Sequence, residues 1–164
     1  MSLEAFNALS EAEANRALAA CLPVTRWVET VRDGRPYADW LALESTASQA
    51  AEKLEDGELE AALAGHPRIG ERASSPDHQA EFSEREQAGV DPADAGVTQA
   101  LAQGNAAYEA RFDRVFLIRA AGRSSGEILA ELRRRLSNDD AAEREETVTQ
   151  LREIALLRLR QVAS

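Results

Sequence analysis

The sequence predicts an all-α fold, a single compact domain over residues 1–164 built from about seven or eight helices. Three observations carry this. Alanine, leucine, glutamate and arginine dominate, all good helix formers, while aromatic residues make up only 5%. Apolar residues recur in steps of three and four along nearly the whole chain, the helical period. The single compact apolar run with strand character, Val115-Phe116-Leu117-Ile118, is short and has no partner strand, so a buried extended connector is expected there.

Ser10-Glu11-Ala12-Glu13 has the pattern of a capping box and opens a helix with the apolar stripe Ala14, Ala17, Leu18, Cys21; Pro23 ends it. Val24, Trp27, Val28 and Val31 repeat at helical spacing before a turn at Asp33-Gly34-Arg35-Pro36. A longer helix is then expected to carry Tyr37, Trp40, Leu41 and Ala47 towards Leu54. Asp56 can cap a short helix through Leu59 and Leu63 that stops at Gly65. Residues 66–82 lack a clean period and read as an ordered loop or broken helical turns, and Ser83-Glu84-Arg85-Glu86-Gln87 reads as a short helix start. From Asp94 a helix presents Val97, Leu101, Gly104, Tyr108 and Phe112 on one face. Ser124-Ser125-Gly126-Glu127 is a second capping box, before Ile128, Leu129, Leu132 and Leu136. Ser137-Asn138-Asp139-Asp140 caps a last helix that runs almost to the end of the chain.

Composition removes several function classes. A hydrophobic share of 44% and a charged share of 29% are those of a soluble globular protein. No apolar run approaches the roughly 20 residues that span a membrane, and no secretion signal is visible at the N-terminus, so a cytoplasmic location is expected. A net charge of -10 argues against nucleic acid, because neutralising phosphates needs a basic surface. Arg133-Arg134-Arg135 is a local basic run ringed by acids and reads as a solvated helix face. The lone cysteine, Cys21, excludes an internal disulfide and reads as a small buried hydrophobe.

The residues with chemical potential are few. There are two histidines, and only this side chain titrates near neutral pH unperturbed. His66 begins the stretch His66-Pro67-Arg68-Ile69-Gly70, where a helix has just stopped and proline stiffens the chain. Such a side chain on a rigid loop can serve catalysis or simply cap the helix's last carbonyls. His78 sits in a polar loop and is expected to be exposed. The two histidines lack metal-ligand spacing, so no metal is expected, and no phosphate-binding glycine loop or nucleophile elbow occurs. Glu86 completes a capping box with Ser83, or, placed near His66, would orient its imidazole. In the last helix the stripe Val148, Leu151, Ala155, Arg158, Val162 turns an arginine towards the core. Either an anion meets Arg158, or its stem lies along the core while the guanidinium reaches solvent.

Together these landmarks resemble one family. The matching pieces are Phe6-Asn7-Ala8-Leu9-Ser10, Gly65-His66-Pro67-Arg68-Ile69-Gly70 and Ser83-Glu84-Arg85-Glu86-Gln87-Ala88-Gly89. Asn105, Tyr108 and Phe112 ahead of Phe116-Leu117-Ile118 follow, then Gly122-Arg123-Ser124 leading into Glu127-Ile128-Leu129, and Arg158-Leu159. The chain resembles the 2-oxo-4-hydroxy-4-carboxy-5-ureidoimidazoline (OHCU) decarboxylases of purine catabolism, almost from end to end. The resemblance implies a cofactor-free, homodimeric, all-α enzyme whose small-molecule substrate, OHCU, becomes (S)-allantoin and carbon dioxide. It implies His66 as the acid/base residue, Pro67 as a shaper of the pocket, and Glu86 as an aid to His66. Ser83 and Gln87 would hydrogen-bond the ureido and ring groups, and the backbone of Leu117, Ile118, Arg119, Ala120 and Ala121 would hold the ring edge. Arg158 would meet the substrate's negative charge.

Two departures stand out. Many members carry Phe-Gly-aromatic-Pro before the apolar run, where this chain has Phe112-Asp113-Arg114-Val115, and Arg119 puts a charge into the ring-edge segment. Two other functions compete with the decarboxylase. One is a non-catalytic acidic helical interaction module, in which His66 and Glu86 only cap helices. The other is a helical hydrolase acting on a related ureide such as 5-hydroxyisourate.

Overall fold

Capping side chains set most of the helix starts in the computed structural model, which describes residues 1–70, 82, 85–89 and 95–164. Among the described residues there are eight helices and no strand. They are α1 (Leu3–Ala8), α2 (Glu11–Cys21), α3 (Thr25–Asp33), α4 (Trp40–Ala51), α5 (Asp56–Ala64), α6 (Ala95–Phe112), α7 (Ser125–Arg135) and α8 (Asp140–Val162). The all-α class expected from the period is the class observed.

Local chemistry accounts for these boundaries. The Ser10 hydroxyl accepts from the Glu13 N–H while the Glu13 carboxylate accepts from the Ser10 N–H, the reciprocal box that starts α2. Ser124 and Asp139 accept from the amides of Glu127 and Ala142 at the starts of α7 and α8. Three details differ from expectation. Helix α1, capped by Ser2, has one buried apolar side chain, Phe6, and so no period to announce it. Helix α4 is shorter than expected: Asp39 caps it, Tyr37 and Leu54 lie outside it, and Leu41 is 70% exposed. Helix α5 is capped by Glu55 rather than Asp56, because Glu55 forms the box with Glu58.

The chain divides into two compact units, Met1–Gly65 with Arg152–Ser164, and His66–Leu151. In the first unit α3 packs against both α2 and α4. Leu18, Trp27, Val31 and Leu43 are fully buried there, each buried aliphatic side chain contributing roughly 1.5–3 kcal/mol. The Trp27 indole donates to the Ala47 carbonyl at 2.9 Å, so its polar edge stays satisfied inside the core. Asn7 and Tyr37 exchange two bonds of 2.9 Å, and Arg35 donates to the Phe6 and Leu9 carbonyls. These tie α1 to the segment before α4. Cys21 is buried, as expected, and its thiol donates to the Ala17 carbonyl at 3.4 Å.

In the second unit α6 packs against α7. Its core gathers Tyr108, Phe112, Phe116, Ile128 and Leu132 with Ile69, Leu101, Ile118 and Ala120. Tyr108 meets Phe112 and Phe116 at ring-centroid distances of 4.7 and 5.2 Å, tilted and edge-on, the preferred aromatic geometries. Residues 115–120 form an irregular connector, mostly buried, in line with the expectation for that run. Asp113, just past α6, has φ 54°, a left-handed conformation that ends the helix.

Candidate active site

His66 opens the second unit immediately after α5 and Gly65, half-buried, with Pro67 also half-buried behind it. The residues that follow anchor the loop at three places. Ile69 is buried in the unit's core, and its carbonyl accepts from Asn105 Nδ2 at 3.2 Å. Arg68 makes a two-pronged ion pair with Glu109 on α6, at 2.5 and 3.1 Å, and that guanidinium holds the Glu109 carboxyl below its usual range. The Gly70 N–H donates to Gln87 Oε1 at 2.9 Å. Gly70 has φ 92°, which only glycine adopts without strain.

That last bond joins the two motif segments, 17 residues apart in sequence. Glu86 lies in a helical turn with Arg85 and is half-buried, and Gln87 opens the turn that follows. Gln87 therefore uses its carbonyl oxygen to hold the histidine loop and keeps its amide N–H groups for other partners. Gly89 closes the segment against the turn before α7: a Cβ there would lie 2.5 Å from the Arg123 carbonyl oxygen. Ser83, with its capping box to Glu86, and His78 fall outside the described residues.

The third segment, Leu117 to Ala121, shares the core cluster with the histidine loop: Ile69, Ile118 and Ala120 belong to one buried group. Its backbone is held by side chains. Arg135 Nη1 donates to the Leu117 carbonyl at 2.7 Å, the Arg119 N–H donates to Gln150 Oε1 at 2.8 Å, and Arg123 Nε donates to the Arg119 carbonyl at 3.0 Å. The Arg119 side chain is half-buried, and its charge does not interrupt these main-chain bonds.

Arg135 was expected on a solvated face and is instead 1% exposed. Its neighbours Arg133 and Arg134 do face solvent. Its Nε and Nη2 donate to Glu143 Oε1 at 2.8 and 2.5 Å, and the Tyr108 hydroxyl donates to the same oxygen at 2.6 Å. Burial, and next to it the Glu143 carboxylate, push the Tyr108 phenol up to about 12. The sequence carries a signal for the burial of Arg135. Ile128, Leu132 and Arg135 are spaced by four and three, the same apolar stripe that singled out Arg158. Asn105 was part of the motif without a role; it is 3% exposed, and among the described residues its Oδ1 has no partner.

Arg158 belongs to the first unit. It is fully buried, so its guanidinium does not reach solvent, and its Nη1 donates to the Ala20 carbonyl at 3.3 Å. The Glu143, Arg135 and Arg158 side chains are the most deeply buried charges among the described residues.

Comparison with known proteins decides the family. The OHCU decarboxylase family model matches residues 7–160. The chain belongs to the OHCU decarboxylase family. Membership places it among the carboxy-lyases of urate degradation and sets aside the non-catalytic interaction module. It is 31% identical over 134 residues to the 2-oxo-4-hydroxy-4-carboxy-5-ureidoimidazoline decarboxylase of Amia calva, covering 80% of this chain and 77% of that one. It is 26% identical over 165 residues to the uric acid degradation bifunctional protein of Bacillus sp. (strain TB-90). That match takes in 99% of this chain but spans about a third (32%) of the Bacillus protein. Among solved structures, an OHCU decarboxylase determined in the presence of (S)-allantoin shares the fold, with a TM-score of 0.72 at 23% identity over 88% of this chain and 94% of that one. Among the described residues no helix is long and apolar enough to cross a membrane.

Proposed function

We propose that the chain converts OHCU into (S)-allantoin and carbon dioxide, with His66 as the acid/base residue and Glu86 assisting it. The observation that supports this best is the meeting of three motif segments in one unit. The Gly70–Gln87 bond ties the His66 loop to the Glu86 turn, and Ile69 shares a buried cluster with Ile118 and Ala120 of the ring-edge segment.

The chemistry such a site must perform follows from the substrate. Breaking the bond between C4 and its carboxylate leaves the electron pair on C4, where it delocalises into the adjacent ring C=N bond. The protein must hold the carboxylate perpendicular to that system. The ring nitrogen that receives the electrons takes one proton, and the 4-hydroxyl gives its proton up as C4 becomes a carbonyl. One proton must reach one face of C5, the carbon that becomes the stereocentre of allantoin. A fixed imidazole suits the transfer, and general acid/base help is worth roughly 10²–10⁴-fold. Unassisted decay of OHCU would give racemic product, so control of the protonated face is part of the function. Pro67 limits the loop's freedom, and Ser83 and Gln87 bind the ureido and ring groups. The wall from Leu117 to Ala121 holds the ring edge. The reaction uses the substrate's own ring as electron sink and calls on no cofactor. The role given to Arg158, meeting the substrate's charge, rests on the family resemblance and on the complete burial of this cation. A homodimer and a cytoplasmic location belong to the same reading, and light scattering on the purified protein tests the former.

The deciding experiment couples the protein to urate oxidase and hydroxyisourate hydrolase and resolves the allantoin enantiomers while following carbon dioxide. Faster loss of OHCU with one enantiomer in excess is expected, and His66→Ala should abolish turnover with its helical circular dichroism intact. A fully active His66→Ala protein would sink the assignment. Arg158→Met should raise the Michaelis constant; unchanged kinetics would return Arg158 to a structural role. Carbon dioxide release separates this reaction from hydrolysis of a related ureide.

A further inference from the structure

The ring-edge segment is neither helix nor strand, so no neighbouring strand holds its main chain. Side chains hold it at alternate residues instead. The Leu117 carbonyl is bound by Arg135, the Arg119 N–H by Gln150, and the Arg119 carbonyl by Arg123. Ile118, between them, is 3% exposed, and among the described residues nothing pairs with its N–H or its carbonyl. Buried main-chain groups are rarely left unpaired, so an unpaired donor and acceptor on one residue mark a place where a ligand completes the bonding.

We propose that Arg135 and Gln150 are positioning residues that stand in for a missing neighbouring strand, fixing the segment so that Ile118 offers its N–H and carbonyl to the ligand. The edge of a cyclic ureide carries an N–H beside a C=O, which complements that pair. Arg135 is suited to the task because its other nitrogens are locked onto the buried Glu143 carboxylate, leaving Nη1 in one place. Gln150 reaches the segment from α8, an element separate from the wall it supports. This inference rests on the reading of Leu117 to Ala121 as the ring-edge wall.

Removing Arg135 would strand the buried Glu143 charge and threaten the fold, so the test uses the half-buried Gln150. Gln150→Leu deletes the acceptor, and Gln150→Glu keeps one. Two readouts are needed: the kinetics of OHCU loss, and amide hydrogen exchange across residues 117–121. The leucine variant should expose the Arg119 amide to faster exchange and raise the Michaelis constant about fivefold to tenfold. Its turnover number should stay within about threefold and its melting temperature within a few degrees, and the glutamate variant should recover both exchange protection and Michaelis constant. Unchanged Arg119 exchange in the leucine variant overturns the inference. So does a wild-type Michaelis constant alongside faster exchange, or a glutamate variant that rescues neither. In each of these outcomes a wild-type chain that still produces (S)-allantoin leaves the proposed reaction standing. A wild-type chain with no turnover overturns the reaction and takes this inference with it.

Discussion

Replacing Glu143 by glutamine removes one charge from the interior and leaves its partner behind. Glu143 is completely buried, and its Oε1 accepts from Arg135 Nε, Arg135 Nη2 and the Tyr108 hydroxyl, while Oε2 accepts from Asn138. A glutamine of the same shape can keep one acceptor, but it sets an N–H group against the Asn138 amide and leaves the Arg135 cation uncompensated at 1% exposure. Breaking a buried pair from one side costs about 3–5 kcal/mol. Glu146, 3.6 Å from Arg135 Nε and one-third exposed, supplies part of the missing charge, so the lower end, about 3 kcal/mol, is expected. For a chain of this length that lowers the melting temperature by roughly 6–12 °C. Urea and thermal melts followed by far-ultraviolet circular dichroism measure it, and a loss below about 1 kcal/mol would refute the reasoning. Combining Arg135→Met with Glu143→Leu should destabilise less than Glu143→Gln alone, because no charge is then left buried.

The folded protein keeps the Tyr108 phenol protonated to about 12, whereas the unfolded chain releases that proton near 10. Stability is therefore intact below pH 10 and falls by roughly 2 kcal/mol on rising to pH 12, a slope that urea midpoints should show and Tyr108→Phe should flatten. Asp113→Gly should stabilise by about 0.5–1 kcal/mol, because φ 54° strains an aspartate and not a glycine; a lower urea midpoint would contradict this. Gly89→Ala should destabilise by about 1–3 kcal/mol and weaken catalysis, since its Cβ would press within 2.5 Å of the Arg123 main-chain oxygen; a neutral melt would show that the turn yields without cost.

Much of the fold is legible in the sequence alone, and the reason is locality. The capping box at Ser10 and the cap at Ser124 each act over three residues, so their side-chain chemistry is readable directly from sequence. The family departure at Asp113 is resolved by the same local logic. Asp113, standing where the resemblance leads one to expect glycine, takes φ 54°, a left-handed conformation that glycine adopts without strain. Failures were local too: α1 has too few buried residues for a period, and α4 lost Tyr37 and Leu54 because Asp39 supplied a better start and the helix ended at Ala51.

The candidate site was legible as a set of residues but not as an arrangement. Spacing placed His66 on a stiff loop after a helix and Arg158 on an inward stripe, and both positions stand. It could not say that Gly70 and Gln87 would bond across 17 residues, that Arg135 would reach Leu117 across 18, or that Gln150 would hold Arg119 across 31. A helical stripe shows that a charge turns inward; only the path of the chain shows which carboxylate it meets. So the sequence by itself determined the helical class, the caps at Ser10, Ser124 and Asp139, the motif segments and the family. The tertiary structure decided that Arg135 and Glu143 are buried together and that the His66 loop is tied to the Glu86 turn. Interactions within one turn of helix are written in neighbouring residues, whereas partners brought together by folding are chosen by packing of the whole chain.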